Sequence, residues 1–158
     1  MYKLFLFALF CSFQGLAQSE CDGTPALNQK IVKLAKAKHK KKVGRGECWD
    51  LAQYVLDATG AEWDGFEVYG RLIYPSNECI YPGDVIQFEK IKIEYQVGNM
   101  TYSESMRHHT AIVYKVIDSN EVILLHQNTA EHGRKVGQSN LMFDSITSGK
   151  LFVYRPEN

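Results

Sequence analysis

The sequence predicts an α+β domain in which N-terminal helices pack on an antiparallel β-sheet. Apolar residues recur at helical spacing between Pro25 and Ala58, and strand-like alternation takes over after Pro82-Gly83. No internal repeat or low-complexity linker separates the two halves, so they are read as one domain.

The stretch TPALNQKIVKLAKAKHKKK offers Thr24 as an N-cap and Pro25 at the first helical position, with Leu27, Ile31, Leu34 and Ala35 on one face. This predicts a first helix running to about Lys41. VGRGE then breaks the helix, because Gly44 and Gly46 permit backbone angles that other residues resist. A second helix follows from Cys48 to about Ala58, with Leu51, Ala52, Val55 and Leu56 as its apolar stripe and Gly60 just past its end. Residues 60–82 lack periodicity but carry Trp63, Phe66, Tyr69, Tyr74 and Tyr81, which predicts an aromatic loop.

DVIQFEKIKIEY reads as a strand whose phase shifts near Lys90, the mark of a bulge, and Gly98-Asn99 as a turn. HTAIVYKVID and EVILLHQN read as an antiparallel hairpin about Ser119-Asn120. A short strand is expected at residues 134–138 and a last one at KLFVYRP.

Residues 1–17, MYKLFLFALFCSFQGLA, place a lysine before an apolar run and end in Gly15-Leu16-Ala17, the pattern of a secretory signal peptide. Gln18, Ser19 and Glu20 separate Ala17 from Cys21, which speaks against a lipid-anchor signal. The expectation is a secreted or periplasmic domain over residues 18–158, monomeric and free of cofactors. Without Cys11, three cysteines remain, and a pair leaves one thiol over. Of three possible pairings, Cys21 with Cys79 is favoured, leaving Cys48 free. Three cysteines at these wide spacings do not form a zinc ribbon.

Net charge is zero, but its distribution is lopsided. Lys30, Lys33, Lys36, Lys38, Lys40, Lys41, Lys42 and Arg45 meet no carboxylate between Gly23 and Gly46, whereas residues from Glu47 onward are net acidic. A solvated helix face is the plain reading, and a patch for an anionic cell-wall polymer or membrane surface the sharper one. Nucleic acid is not expected, since no aromatics interleave with these lysines.

Cys48 is the residue on which chemistry would turn. A thiol at a helix N-terminus gains from unpaired N–H groups and the helix dipole, which favour its thiolate. Strand alternation puts His109, Ala111 and Val113 on one face of their strand, and Leu124, His126 and Asn128 on one face of the next. A tight hairpin therefore sets His109 beside His126, with Asn128 near, as a base and its orienting partner. His108 and His132 are read as surface residues, and Asp84 as a turn cap. The plain alternatives are a buried core thiol with structural histidines and a zinc site made by Cys48, His109 and His126. Asn99-Met100-Thr101 matches a glycosylation acceptor, relevant only in a eukaryotic secretory pathway.

GRGECWDLA, PGDVIQFE, HTAIVYKV and LLHQN, in that order, resemble the motifs of NlpC-type and CHAP-type cysteine hydrolases over about residues 43–155. The resemblance implies a papain-like fold, with Cys48 as nucleophile, His109 as general base and acid, and His126 or Asn128 as the orienting residue. It further implies amide or peptide bonds of peptidoglycan as substrate. Trp49-Asp50 stands where NlpC-type enzymes usually carry Ser-Gly, and no upstream glutamine occupies the oxyanion position of classical papain-like proteases. The rival readings are a non-catalytic module that keeps the cleft, and an effector protease acting on proteins.

Overall fold

The computed structural model describes residue 21 and residues 23–158, so the signal peptide expected at residues 1–17 lies outside the described part. Two helices, α1 (Ala26–Ala37) and α2 (Asp50–Thr59), precede six strands: β1 (Arg71–Ile73), β2 (Val85–Val97), β3 (Met100–Val116), β4 (Glu121–His126), β5 (Gly137–Met142) and β6 (Ile146–Arg155). The strands form one antiparallel sheet in the order β1-β6-β2-β3-β4-β5. No helix among the described residues is long and apolar enough to cross a membrane.

Both helices are shorter at one end than the sequence suggests. Helix α1 starts after Pro25, which takes the cap position without a side-chain bond, and it stops at Ala37 rather than near Lys41. The lysine run beyond it leaves the helix to meet the approach to β5, where Lys40 N–H donates to the Val136 carbonyl and Val136 N–H to the Lys41 carbonyl. Lys40 takes a positive φ of 62° to make that turn. Helix α2 starts at Asp50, two residues after Cys48, and ends in a left-handed Gly60 as expected.

Alternation along the strands divides the core between the two faces of the sheet. On one face Val85, Ile112 and Leu125 pack against Ile31, Ala35, Leu51, Val55 and Leu56 of the helices. On the other, Ile86, Phe88, Ala111, Val113, Leu124 and Leu141 form a second cluster without helical cover. The bulge expected near Lys90 is present as a register shift between Glu89 and Lys92, with Lys90 at φ 51°.

Three parts of the sheet differ from the reading. β3 begins at Met100, not near His109, because it pairs along the whole of β2 from Val97↔Met100 to Val85↔Ile112. β5 covers residues 137–142 instead of 134–138, and β1 lies inside the aromatic loop. β1 is held by pairing with β6 rather than by any alternation of its own, since only three residues take part.

Asp84 immediately precedes β2 and is fully buried. It accepts from Arg155 Nη2 at 2.9 Å, from Asn28 Nδ2 at 2.8 Å and from Tyr81 N–H at 2.8 Å, so it joins α1, the β2 entry and the end of β6. Burial pushes its carboxyl above the ordinary range, and Arg155 and the two N–H partners oppose that push without reversing it. Cys21 and Cys79 form a disulfide, the pairing favoured from sequence, which ties the chain ahead of α1 to the same neighbourhood; Cys48 stays free.

Candidate active site

The segment before α2 is shaped by Asp50 and by two glycines. Asp50 Oδ2 accepts from Arg45 N–H at 2.7 Å and Glu47 N–H at 3.1 Å, and Oδ1 takes Arg45 Nη2 at 3.0 Å. Burial works to raise the Asp50 carboxyl, but Arg45 and the two N–H donors prevail and hold it below its usual value. Gly44 is needed because a Cβ there would lie 2.9 Å from Asp50 Oδ2 at a φ of 54°. From the other side Gln127, wholly buried, clamps the segment: its Nε2 donates to the carbonyls of Val43 at 3.0 Å and Glu47 at 2.8 Å, and its Oε1 accepts from Val43 N–H at 3.1 Å. Cys48 follows directly from this clamped loop.

The thiol is placed differently from the expectation. It sits in a turn ahead of α2, not in the first helical turn. Backbone N–H groups of Thr110, Trp49 and Cys48 itself turn toward the sulfur, but burial outweighs them and pushes the thiol above its ordinary value. The resting cysteine is therefore a neutral thiol at physiological pH. The Thr110 contact matters most for the site, since Thr110 is the residue after His109 and lies just beyond the last β3–β4 pair, Ile112↔Leu125.

His109 and His126 meet as the hairpin register predicts. His109 Nε2 lies 2.9 Å from His126 Nδ1, and His126 Nε2 lies 2.8 Å from Ser139 Oγ on β5. Both rings are buried on the face away from the helices, with Phe88 against His109. The helices thus cover the opposite face, and Cys48 approaches at the Thr110 backbone rather than across the face that carries His109. Burial lowers His109 to about 4 and His126 to about 3, helped by the neighbouring histidines, so both rings are neutral near pH 7.

Asn128 does not join the histidines. It has a left-handed backbone, φ 64°, which takes it out of the strand alternation, and its Nδ2 donates to Glu47 Oε2 at 3.0 Å. Its contact is with the cysteine loop. His132 departs from its reading as a surface residue: it is half-buried, its ring lies edge-on to His126 at 6.2 Å, and its Nε2 bonds the Gln138 carbonyl at 3.0 Å. Gly137 makes room for it, because a Cβ there would fall 1.9 Å from His132 Cδ2. Ser139 and Gln127 carry no signal in the sequence that would set them apart from ordinary strand residues.

A second polar chain runs on the helix-covered face. The Tyr69 hydroxyl is 3.1 Å from Thr110 Oγ1, which donates to Gln87 Oε1 at 2.7 Å, and Gln87 Nε2 reaches Glu89 and His108. His108 lies at the surface, as expected, between Glu89 at 2.8 Å and Glu67 at 3.5 Å. These three side chains could hold a metal ion, whereas Cys48 is not grouped with the histidines as a ligand set. The aromatic loop supplies the roof over this side, with Trp63 stacked on Tyr69 at 6.1 Å and Trp49 at 6.5 Å from Trp63.

A cysteine before a helix, against an antiparallel sheet, is the layout of the papain-like cysteine proteinase fold. Residues 24–158 match the AIM3/BBC1 cysteine proteinase-fold domain, and the chain belongs to that family. It is 27% identical over 138 residues to an SH3 domain-containing protein of Schizosaccharomyces pombe, a match that takes in 79% of this chain but 9% of that protein. Among solved structures it resembles Ly7917 with the hydrolysis product of MDP, at a TM-score of 0.51 and 14% identity, covering 82% of this chain and 62% of that one. That likeness bears on the fold. The chain spans less than two thirds of either relative.

Proposed function

We propose that this domain is a cysteine hydrolase of the NlpC/CHAP type that cleaves an amide or peptide bond through a thioester on Cys48. The observation that carries the reading is a free thiol held on the Thr110 N–H, one residue along β3 from His109, which heads the chain His109–His126–Ser139 on the other face of the sheet. When His126 donates a hydrogen bond from its Nε2–H to Ser139 Oγ and accepts one at Nδ1 from the His109 Nε2–H, the Nδ1 of His109 is left with its lone pair. In that tautomer it is a base. With the thiol brought round the β3 edge to the His109 ring, that base takes the Cys48 proton as sulfur attacks the substrate carbonyl, then protonates the leaving amine, and water releases the acyl group by the same route. The Cys48 N–H supplies part of the oxyanion site.

Because thiol and imidazole both rest neutral, proton transfer belongs to the attack step and not to a pre-formed ion pair. In this reading His126 is the orienting residue, and Asn128 steadies the cysteine loop through Glu47. Peptidoglycan peptides are the proposed substrate, in line with the motif resemblance and with the structure of Ly7917 with the hydrolysis product of MDP. The Cys21–Cys79 disulfide supports an exported setting, where such bonds persist. The lysine-rich segment of α1 and the turn after it is a further proposed contact for an anionic wall polymer.

A second reading has its own observation. A thiol raised by burial, with both histidines depressed, also fits a domain that keeps the cleft but not turnover, and the Schizosaccharomyces pombe relative carries this region as a small part of an SH3 domain-containing protein. Incubation of the protein with peptidoglycan fragments and with general peptides, followed by mass spectrometry, separates the two. Fragments cleaved by the native protein and left intact by Cys48→Ala support the hydrolase; intact fragments in both, with retained binding, support the module; cleavage of peptides alone identifies a protease acting on proteins.

A further inference from the structure

The open face of the sheet holds a cavity of about 1010 Å³ with His109, His126 and Ser139 in its lining. That is at the upper end of the range for ligand pockets, about 300–1,000 Å³, and is room for several residues of a peptide. Its charge is one-sided. Glu104, Glu121 and Glu131 line it, and no lysine or arginine does. The two histidines bring no compensating charge near pH 7, since burial keeps both neutral.

Two of these carboxylates come from different elements, Glu104 from β3 and Glu131 from the β4–β5 connection, and both line the cavity together with Tyr95. Glu104 accepts from Tyr95 at 3.3 Å, and Tyr95 stacks on Tyr102 at 5.5 Å, which fixes the ring as one wall. Glu121 is already engaged by Asn140 Nδ2 at 2.7 Å. Apolar surface from Met106 and Leu141 lies in the same cavity.

We propose that this cavity binds a peptide through a positively charged side chain, lysine or arginine, held between Glu104 and Glu131 against the Tyr95 ring, with apolar neighbours on Met106 and Leu141. Carboxylates on two sides and an aromatic face on a third are what an ammonium or guanidinium group takes up. The proposal deepens the hydrolase reading by naming its substrate class, but binding itself does not require turnover.

The test uses Cys48→Ala and three fluorescein-labelled hexapeptides that differ only in a central lysine, acetyl-lysine or glutamate, with affinity read by fluorescence anisotropy. The lysine peptide is expected to bind roughly five- to thirty-fold more tightly than the acetyl-lysine one, the size of two exposed ion pairs and a cation–π contact together. The glutamate peptide should bind weakest, and the preference should shrink as salt rises from about 0.02 to about 0.3 M. In Cys48→Ala carrying Glu104→Gln and Glu131→Gln, checked for an unchanged thermal melt, the preference should disappear. Equal affinities for the three peptides, no binding of the lysine peptide below the millimolar range, or a preference that survives the double substitution would each overturn the proposal. The same peptides on the native protein separate it from the hydrolase reading: charge-ordered binding without cleavage sinks the hydrolase and leaves the cation site, and cleavage of all three at equal kcat/KM does the reverse.

Discussion

The two faces of the sheet carry polar chains of similar length that do different work. On the helix-covered face, Tyr69, Thr110, Gln87 and His108 are hydrogen-bonded in series under a roof of aromatic rings. On the open face, His109, His126 and Ser139 form a second series that fronts a large cavity. His108 and His109 are adjacent in sequence and belong to opposite faces, so one residue's step along β3 separates a surface ion cluster from the proposed base. Covering one face fixes a network in place, and leaving the other uncovered sets the second series against open space.

The sharpest way to break that comparison is to remove the proposed nucleophile on one face and the proposed base on the other. Cys48→Ala and His109→Ala should each lower kcat/KM by about three orders of magnitude or more while the thermal melt stays close to native. His108→Ala should leave kcat/KM within a few-fold. A His108 effect as large as that of His109 would assign the chemistry to the wrong face.

The next largest effect is expected in stability. Arg155→Met leaves the fully buried Asp84 without its guanidinium partner and should cost about 3–5 kcal/mol in urea unfolding. Unchanged stability would mean that Asn28 and Tyr81 alone satisfy the carboxyl.

Acid titration sharpens the contrast further. An unfolded histidine takes up a proton near pH 6.5, whereas in the fold His109 and His126 resist until about 4 and about 3. The unfolded state therefore binds more protons below pH 6.5, and stability contributed by the neutral rings is lost as pH falls from there toward 3. His126→Gln should flatten the acid side of the stability–pH curve; an unchanged curve would mean that the ring is not held neutral in the fold.

Two smaller effects concern positioning. His126→Ala should cost activity tenfold or more beyond Asn128→Ala, since His126 bonds His109 and Asn128 bonds Glu47. Gly137→Ala, by displacing the His132 ring that lies against His126, should lower kcat several-fold with little change in KM.

Much of this comparison was legible in the sequence. Helix periodicity, the Lys90 bulge and the Ser119-Asn120 hairpin were enough to predict the α+β layout and to bring His109 next to His126. Other features were decided by tertiary contacts. Helix α1 ends early because Lys40 and Lys41 bond Val136, and β1 exists only because β6 offers it a ladder. Asn128 leaves the His126 face through a left-handed backbone that alternation does not foresee. The thiol's state was misjudged for a physical reason: the helix begins two residues later than its apolar stripe suggests, and burial then dominates. Iodoacetamide should consequently label Cys48 slowly near pH 6 and faster toward pH 9, whereas the helix-terminus argument alone predicts rapid labelling at pH 6.

The raised thiol has one more consequence, for how a free cysteine coexists with a disulfide. Exchange between a thiol and a disulfide needs the thiolate, so a cysteine kept protonated and half-withdrawn from solvent is a poor attacker on Cys21–Cys79 and a poor target for mixed-disulfide capture. The burial that keeps Cys48 protonated thus also guards the pairing of Cys21 with Cys79, and among the described residues it holds the free sulfur in its reduced form.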